Sequence, residues 1–136
     1  MISQKTILLP PMSKGYHLIT RHITGILKDL PDAGLLHVFL QHTSAALTIN
    51  ENADPSVRVD FQNFMEYLIP EGHASFTHVM EGLDDMPAHL KSSVFGPELT
   101  IPITDGKLNL GTWQGIYLCE FRNRGGSRRV ILTIYS

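Results

Sequence analysis

Apolar positions along the 136 residues recur with two different periods, and each change of period marks a candidate element. Residues 4–9 read as a strand, closed by Pro10 and Pro11. Ile23, Ile26, Leu27 and Leu30 fall at helical spacing, so the pattern predicts a helix over residues 20–30 that Pro31 terminates. Gly34 opens residues 35–41, an apolar run suited to a buried strand. Residues 42–49 read as extended. Thr43, Ala45, Leu47 and Ile49 share one face, and His42, Ser44, Ala46, Thr48 and Asn50 take the other. The first face suits a core, whereas the second suits the wall of a wet cavity.

Residues 50–53 read as a turn, after which Asp54 caps a helix with Pro55 at its first position. Val57, Phe61, Phe64, Met65 and Leu68 form its apolar stripe, and Pro70 ends it. Asp85-Met86-Pro87 repeats the start signal for a helix whose Met86, Leu90 and Val94 face the core and which stops near Gly96-Pro97. Residues 98–103 and 107–110 then flank an Asp105-Gly106 hairpin turn, and residues 116–122 and 128–135 flank a second predicted hairpin at 123–127. The expected fold class is α+β, one domain over residues 1–136. It is a largely antiparallel sheet or sandwich with two or three helices in the N-terminal and middle parts.

Composition removes several function classes. Thirteen acidic against eleven basic residues give a net charge of −2, which argues against nucleic-acid binding. No apolar run approaches the roughly 20 residues of a membrane span, and residues 1–10 do not read as a signal peptide. The one cysteine, Cys119, excludes an internal disulfide framework and fits the cytoplasm. It lies in an apolar run and reads as a buried, inert thiol. Walker-type, dinucleotide and His-Glu-x-x-His motifs are absent.

Residues 77–93 hold the densest chemistry: two histidines, three carboxylates, a lysine and two serines. His89 follows Asp85 by four residues, so one helical face can carry both. Asp85 there either fixes the imidazole of a metal ligand or simply caps the helix. Ser92 and Ser93 continue the polar side. With His42 and His78, His89 makes a three-histidine set able to hold Zn²⁺ or a similar ion with one position open, unless these histidines are structural. His17, His22, His37 and His73 lack such polar company and read as structural or surface residues. Gly111-Thr112-Trp113-Gln114-Gly115 is a sharp bend, either a tight turn with a packed Trp113 or a pocket wall. Strand parity sets Thr112, Gln114, Glu120 and Arg122 on one side of it. The Arg-rich, Gly-rich turn at 123–129 is a phosphate site, a solvated turn or a subunit contact.

These motifs together resemble the YjbQ-like proteins, also called secondary thiamine-phosphate synthases. Gln41-His42-Thr43-Ser44-Ala45, Thr48-Ile49-Asn50-Glu51-Asn52, Asp54-Pro55, His78, Glu81-Gly82, residues 84–93, residues 111–115 and residues 125–129 all match, so the resemblance spans essentially the whole chain. It implies a sandwich-like homotrimer with sites near subunit boundaries, and a divalent metal ion held by His42, His78 and His89. It also implies weak thiamine phosphate synthase activity, joining hydroxymethylpyrimidine pyrophosphate to thiazole phosphate with release of pyrophosphate. For that chemistry Asp85, Glu120 and Lys91 are the candidate catalytic residues. Ser44, Asn50, Ser92, Thr112, Gln114, Arg122 and Arg128 are the candidate contacts to the phosphorylated substrate. A trimer that binds a metal or metabolite without catalysis is the alternative.

Overall fold

The computed structural model describes all of residues 1–136. Its elements run β1 (Ile2–Leu9), β2 (Gly15–Leu18), α1 (Thr20–Ile26), β3 (Ala33–Leu40), β4 (Ala45–Glu51), α2 (Pro55–Leu68), α3 (Asp85–Phe95), β5 (Glu98–Thr104), β6 (Lys107–Leu108), β7 (Gln114–Glu120) and β8 (Arg128–Tyr135). All strand pairs are antiparallel. One sheet has the order β1-β8-β3-β5-β6 and the other β2-β7-β4. The α+β class and its antiparallel character are those the pattern predicts. No helix is long and apolar enough to cross a membrane.

Strand alternation builds two cores. Leu36, Val38, Leu40, Val130 and Leu132 of the larger sheet meet Ala45, Leu47, Ile116 and Leu118 of the smaller one, and Ile23 and Leu27 add to the same core. The opposite face of the smaller sheet carries Ala46, Tyr117 and Cys119, which pack with Tyr16, with Met65 of α2 and with Ala88 of α3. The middle strand β7 is therefore covered on both faces and is buried from its second residue onward. Burial pushes the Cys119 thiol pKa up and leaves it inert, as expected.

The Asp-Gly hairpin forms as predicted, with Asp105 at φ 50° and Gly106 at φ 73°, the left-handed pair that such a turn requires. The second hairpin does not form. β7 has both edges taken by β2 and β4, and β8 both edges taken by β1 and β3, so residues 121–127 cross between sheets. The predicted helix over 20–30 ends at Ile26, because Leu27 leaves helical geometry with ψ 91° while its side chain stays in the core. β2, four residues long, has no counterpart among the predicted elements. β4 starts at Ala45 and runs through Asn50 to Glu51, which moves the expected turn two residues on and leaves His42 outside the strand. Phe64 and Leu68 of α2 are exposed, so only Val57, Phe61 and Met65 of the predicted stripe pack inward.

Helix α3 lies with the opposite face inward from that expected. Val94 and Leu90 are exposed, whereas Asp85, Ala88, Lys91 and Ser92 are buried. Small residues let the helix approach β4 closely, and the Ser92 hydroxyl donates to the Ala45 carbonyl at 2.8 Å. Lys91 Nζ donates to Glu66 Oε1 of α2 at 2.9 Å and sits over the Phe121 ring. Both polar side chains are thus satisfied inside.

A buried ion pair ties the two sheets together. Arg128 Nε and Nη2 donate to the two Glu120 carboxylate oxygens at 2.7 and 2.6 Å. Nη2 also donates to Ser44 Oγ at 3.0 Å and to the Ser44 carbonyl at 3.2 Å. The crossing loop passes so close that a Cβ on Gly125 would lie 2.3 Å from Glu120 Oε1 and 2.6 Å from Arg128 Nη2. Replacing Glu120 by Ala strands the Arg128 charge in the interior, and urea denaturation should show a loss of about 3–5 kcal/mol. An exposed control, Arg124→Ala, should stay within about 0.5 kcal/mol of the parent. A Glu120→Ala loss as small as the control's overturns the assignment.

Candidate functional site

The first turn of α3, the irregular segment before it and the chain on either side of the small sheet converge on one carboxylate. Asp85 is the first residue of α3, where the helix dipole favours a negative charge. Its Oδ2 lies 2.7 Å from His78 Nε2 and 3.1 Å from His89 Nε2. His78 comes from the segment preceding the helix, and His89 from the next turn of α3. Asp85 Oδ1 accepts from Arg122 Nη1, just past β7. Arg122 is itself fixed, with Nε donating to Asp84 Oδ2 at 2.9 Å and Nη2 to the Glu81 carbonyl at 3.0 Å. Asp84, not Asp85, holds the N-cap position, and its Oδ2 also accepts from the Asn123 amide at 2.8 Å. The expected helix cap at Asp85 is thereby corrected, because Asp84 is the residue at the helix boundary. Gly82, at φ 106°, makes the turn into this helix start.

Both aspartates sit well inside the protein yet remain acidic. Burial opposes the charge on Asp85, but the hydrogen bond from His78 and the fields of His89 and Arg122 outweigh it and hold its carboxyl below the usual range. Asp84 is held down likewise, burial being overcome by the Asn123 amide and by Arg122.

The orientation of His89 sets the chemistry. Its Nδ1 lies 2.8 Å from the Thr43 carbonyl, which can only accept, so Nδ1 carries a proton and donates it. A neutral ring then presents a bare lone pair on Nε2 to Asp85 Oδ2, another acceptor. That contact is attractive only with a second proton on the ring or a cation between the two atoms. A backbone carbonyl behind a histidine is also the usual support for a metal ligand. Donor atoms of His78, Asp85 and His89 all lie within 4.8 Å of one another, and a small side-chain adjustment would bring them within the roughly 4.4 Å that bonds of about 2.0–2.2 Å to one ion allow. Two histidines and a carboxylate form a ligand set with room for water or substrate. Glu81 Oε2, 3.7 Å from His78 Nε2, borders the same space.

The structure gathers His78, His89, Asp85 and Arg122 from the predicted set and distributes the others. His42 stands outside the cluster because it lies in the irregular chain before β4. Its Nε2 accepts from the Arg129 amide at 2.8 Å, and burial together with the Arg128 charge lowers its pKa. Glu120, Arg128 and Ser44 form the buried tie between the sheets, and Lys91 and Ser92 anchor α3, so their polar groups are engaged in packing. Asn50, Thr112 and Gln114 lie at the other end of the small sheet, since Gln114 pairs with Glu51 while Glu120 pairs with Ala45. Seven residues of strand at about 3.3 Å each separate those ends by roughly 20 Å. Gln114 Oε1 accepts from the Gly111 amide at 2.8 Å, and Trp113 is 64% exposed instead of packed. Sequence reasoning missed the Thr43 carbonyl, which has no side-chain signature, and Asp84, whose pairing with Asp85 before a helix was the available signal.

Fold and site together describe a small α+β sandwich protein carrying a two-histidine, one-carboxylate cluster. Residues 5–136 match the family model described as UPF0047 protein YjbQ-like, and the chain belongs to that family. It is 50% identical over 133 residues to the UPF0047 protein YjbQ of Escherichia coli O157:H7, covering 96% of each chain. To the UPF0047 protein YugU of Bacillus subtilis it is 41% identical over 104 residues, 76% of each. Among solved structures, a conserved hypothetical protein of Thermus thermophilus superposes with TM-score 0.82 at 32% identity, over 95% of this chain and 97% of that one. A YbjQ-like protein of unknown function from Sulfolobus solfataricus shares the fold, with TM-score 0.83 at 23% identity over 98% and 96%.

Metal titration followed by calorimetry should give one divalent ion per chain. His78→Ala, His89→Ala and Asp85→Asn should each abolish tight binding. Arg122→Ala, which removes a support of Asp85, should weaken it by about 10–100-fold. Binding that survives His89→Ala unchanged would sink the ligand set.

Proposed function

We propose that this chain is a cytoplasmic enzyme that uses a divalent ion, zinc being the first candidate, to act on a phosphorylated small molecule. The candidate reaction is thiamine phosphate formation, as the resemblance of the motifs implies. The observation that carries the reading is His89, whose Nδ1–H is committed to the Thr43 carbonyl and whose Nε2 faces the Asp85 carboxylate across 3.1 Å. Such a pair needs either a second ring proton or a shared metal ion, and His78 on the same carboxylate oxygen supports the metal reading.

In the proposed reaction the bond between the pyrimidine methylene carbon and pyrophosphate oxygen breaks. Its electron pair leaves on pyrophosphate, and the thiazole nitrogen lone pair forms the new carbon–nitrogen bond. A divalent ion held by His78, Asp85 and His89 would supply charge stabilisation to a departing pyrophosphate. The chain's own residues set the geometry of that ligand set: Arg122 orients Asp85, Thr43 orients His89, and the buried Glu120–Arg128 pair holds the segments from which both supports come. Arg124, two residues beyond Arg122 in the chain, is exposed and outside every ion pair, and is assigned here as a cation available to a phosphate.

Association as a homotrimer belongs to the same reading. Ile2, Leu8, Leu35 and Tyr135 are exposed on the outer face of the five-stranded sheet, where register puts Tyr135 beside both Ile2 and Leu35. Light scattering should return three times the chain mass; a single-chain mass overturns the trimer.

Catalysis is tested by complementing a thiamine auxotroph at ordinary expression levels with the parent chain and with His89→Ala, whose folding is checked by circular dichroism. Growth that requires His89 is expected. Equal growth with the folded variant, or rescue only on heavy overexpression, rejects thiamine phosphate formation as the main activity and leaves binding without catalysis.

A further inference from the structure

Next to His78 lies a cavity of about 110 Å³ lined by His73, Phe76, His78, Val79, Leu83 and Met86. None of its four large apolar residues belongs to either hydrophobic core. Val79 and Leu83 are 56% and 67% exposed. The segment from 70 to 84 forms no helix or strand, and holds itself by short-range bonds such as Phe76 N–H to the His73 carbonyl at 3.0 Å. Folding therefore does not account for the apolar wall, which core packing leaves unused, and ligand sites have this composition: mostly apolar, with a few placed polar groups.

We propose that this cavity binds the flat aromatic or heteroaromatic ring of the substrate whose phosphate group is held at the His78, Asp85 and His89 site; the inference rests on the function proposed above. Size allows one ring at most: an enclosed cavity of about 150 Å³ accommodates benzene, and this one is smaller but has exposed walls at Val79 and Leu83, past which a ring can extend. The wall chemistry favours a π-system over an aliphatic chain. Phe76 and His73 form an aromatic pair with centroids 5.4 Å apart, and Met86 adds a thioether of the kind that contacts ring edges. His73 supplies one polar handle. Its Nδ1 accepts from the Ser75 amide at 3.1 Å, so the neutral ring keeps its proton on Nε2, free to donate to a ring nitrogen or substituent. His78 belongs to both places, its Nε2 against Asp85 and its ring on the cavity wall, so ring and phosphate of one molecule would sit a short linker apart.

Zinc-loaded protein should be titrated with inorganic phosphate, methyl phosphate and benzyl phosphate, while the Met86 methyl signal, assigned through Met86→Leu, is followed by NMR. Burial of the ring should make benzyl phosphate bind roughly tenfold or more tightly than methyl phosphate. Benzyl phosphate should shift the Met86 signal, and Leu83→Asp should bring the benzyl-to-methyl ratio toward one with ion stoichiometry retained. Equal affinity for the two esters with Met86 unmoved overturns the ring site and leaves the phosphate site standing. No phosphate binding to the zinc-loaded protein overturns both. A Met86 signal that moves on dilution but not on adding benzyl phosphate identifies a second copy of the chain as the occupant and also overturns the ring site.

Discussion

The pair between Glu120 and Arg128 is the constraint on which the rest of the molecule rests. It lies between the middle strand of one sheet and a central strand of the other, where neither charge reaches water. Isolated charges are costly there, so the two sheets can pack only with Glu120 and Arg128 in register. The same two side chains then extend outward. Arg128 holds the Ser44 backbone and hydroxyl, and Glu120 Oε2 accepts from the Arg122 amide at 3.2 Å. Thr43, the neighbour of Ser44, and Arg122 itself are the residues that orient His89 and Asp85. A structural ion pair and a chemical site are thus one connected network, and the glycine at 125 is the condition for the loop to cover it.

Helix α3 is the other half of that arrangement. Its first two turns carry Asp85 and His89, and its later turns carry Lys91 and Ser92, which bind α2 and β4. The anchor and the site share one rigid element, so two of the three candidate ligands keep a fixed spacing. His78 reaches them from an irregular segment, and that same segment forms the apolar wall beside the site.

Much of this was legible in the chain. Asp54-Pro55 and Asp105-Gly106 act locally, through a capping oxygen and through left-handed backbone, and both did as their chemistry dictates. The spacing of Asp85 and His89 by one helical turn placed them on one face, and the motifs around them identified the family. Long-range choices were not legible. Alternation shows that residues 116–122 and 128–135 are strands but not that each has two other partners, so adjacency suggested a hairpin. Spacing of Met86, Leu90 and Val94 suggested a buried face for α3, yet close packing on β4 required Ala88 and Ser92 instead. His42 is equivalent to His78 and His89 by residue type, but it lies in the irregular chain before β4 and takes the Arg129 amide. Nothing in the sequence marks a backbone carbonyl, so Thr43 could be found only in three dimensions.

The position of Cys119 has a practical consequence. The chain has one thiol, and it is wholly enclosed with a pKa that burial pushes up. In the folded protein it is shielded from alkylating reagents, so a cysteine placed on the surface will react alone. Leu83→Cys or Arg124→Cys would each carry a single fluorophore or spin label on an exposed position, without first deleting a native residue.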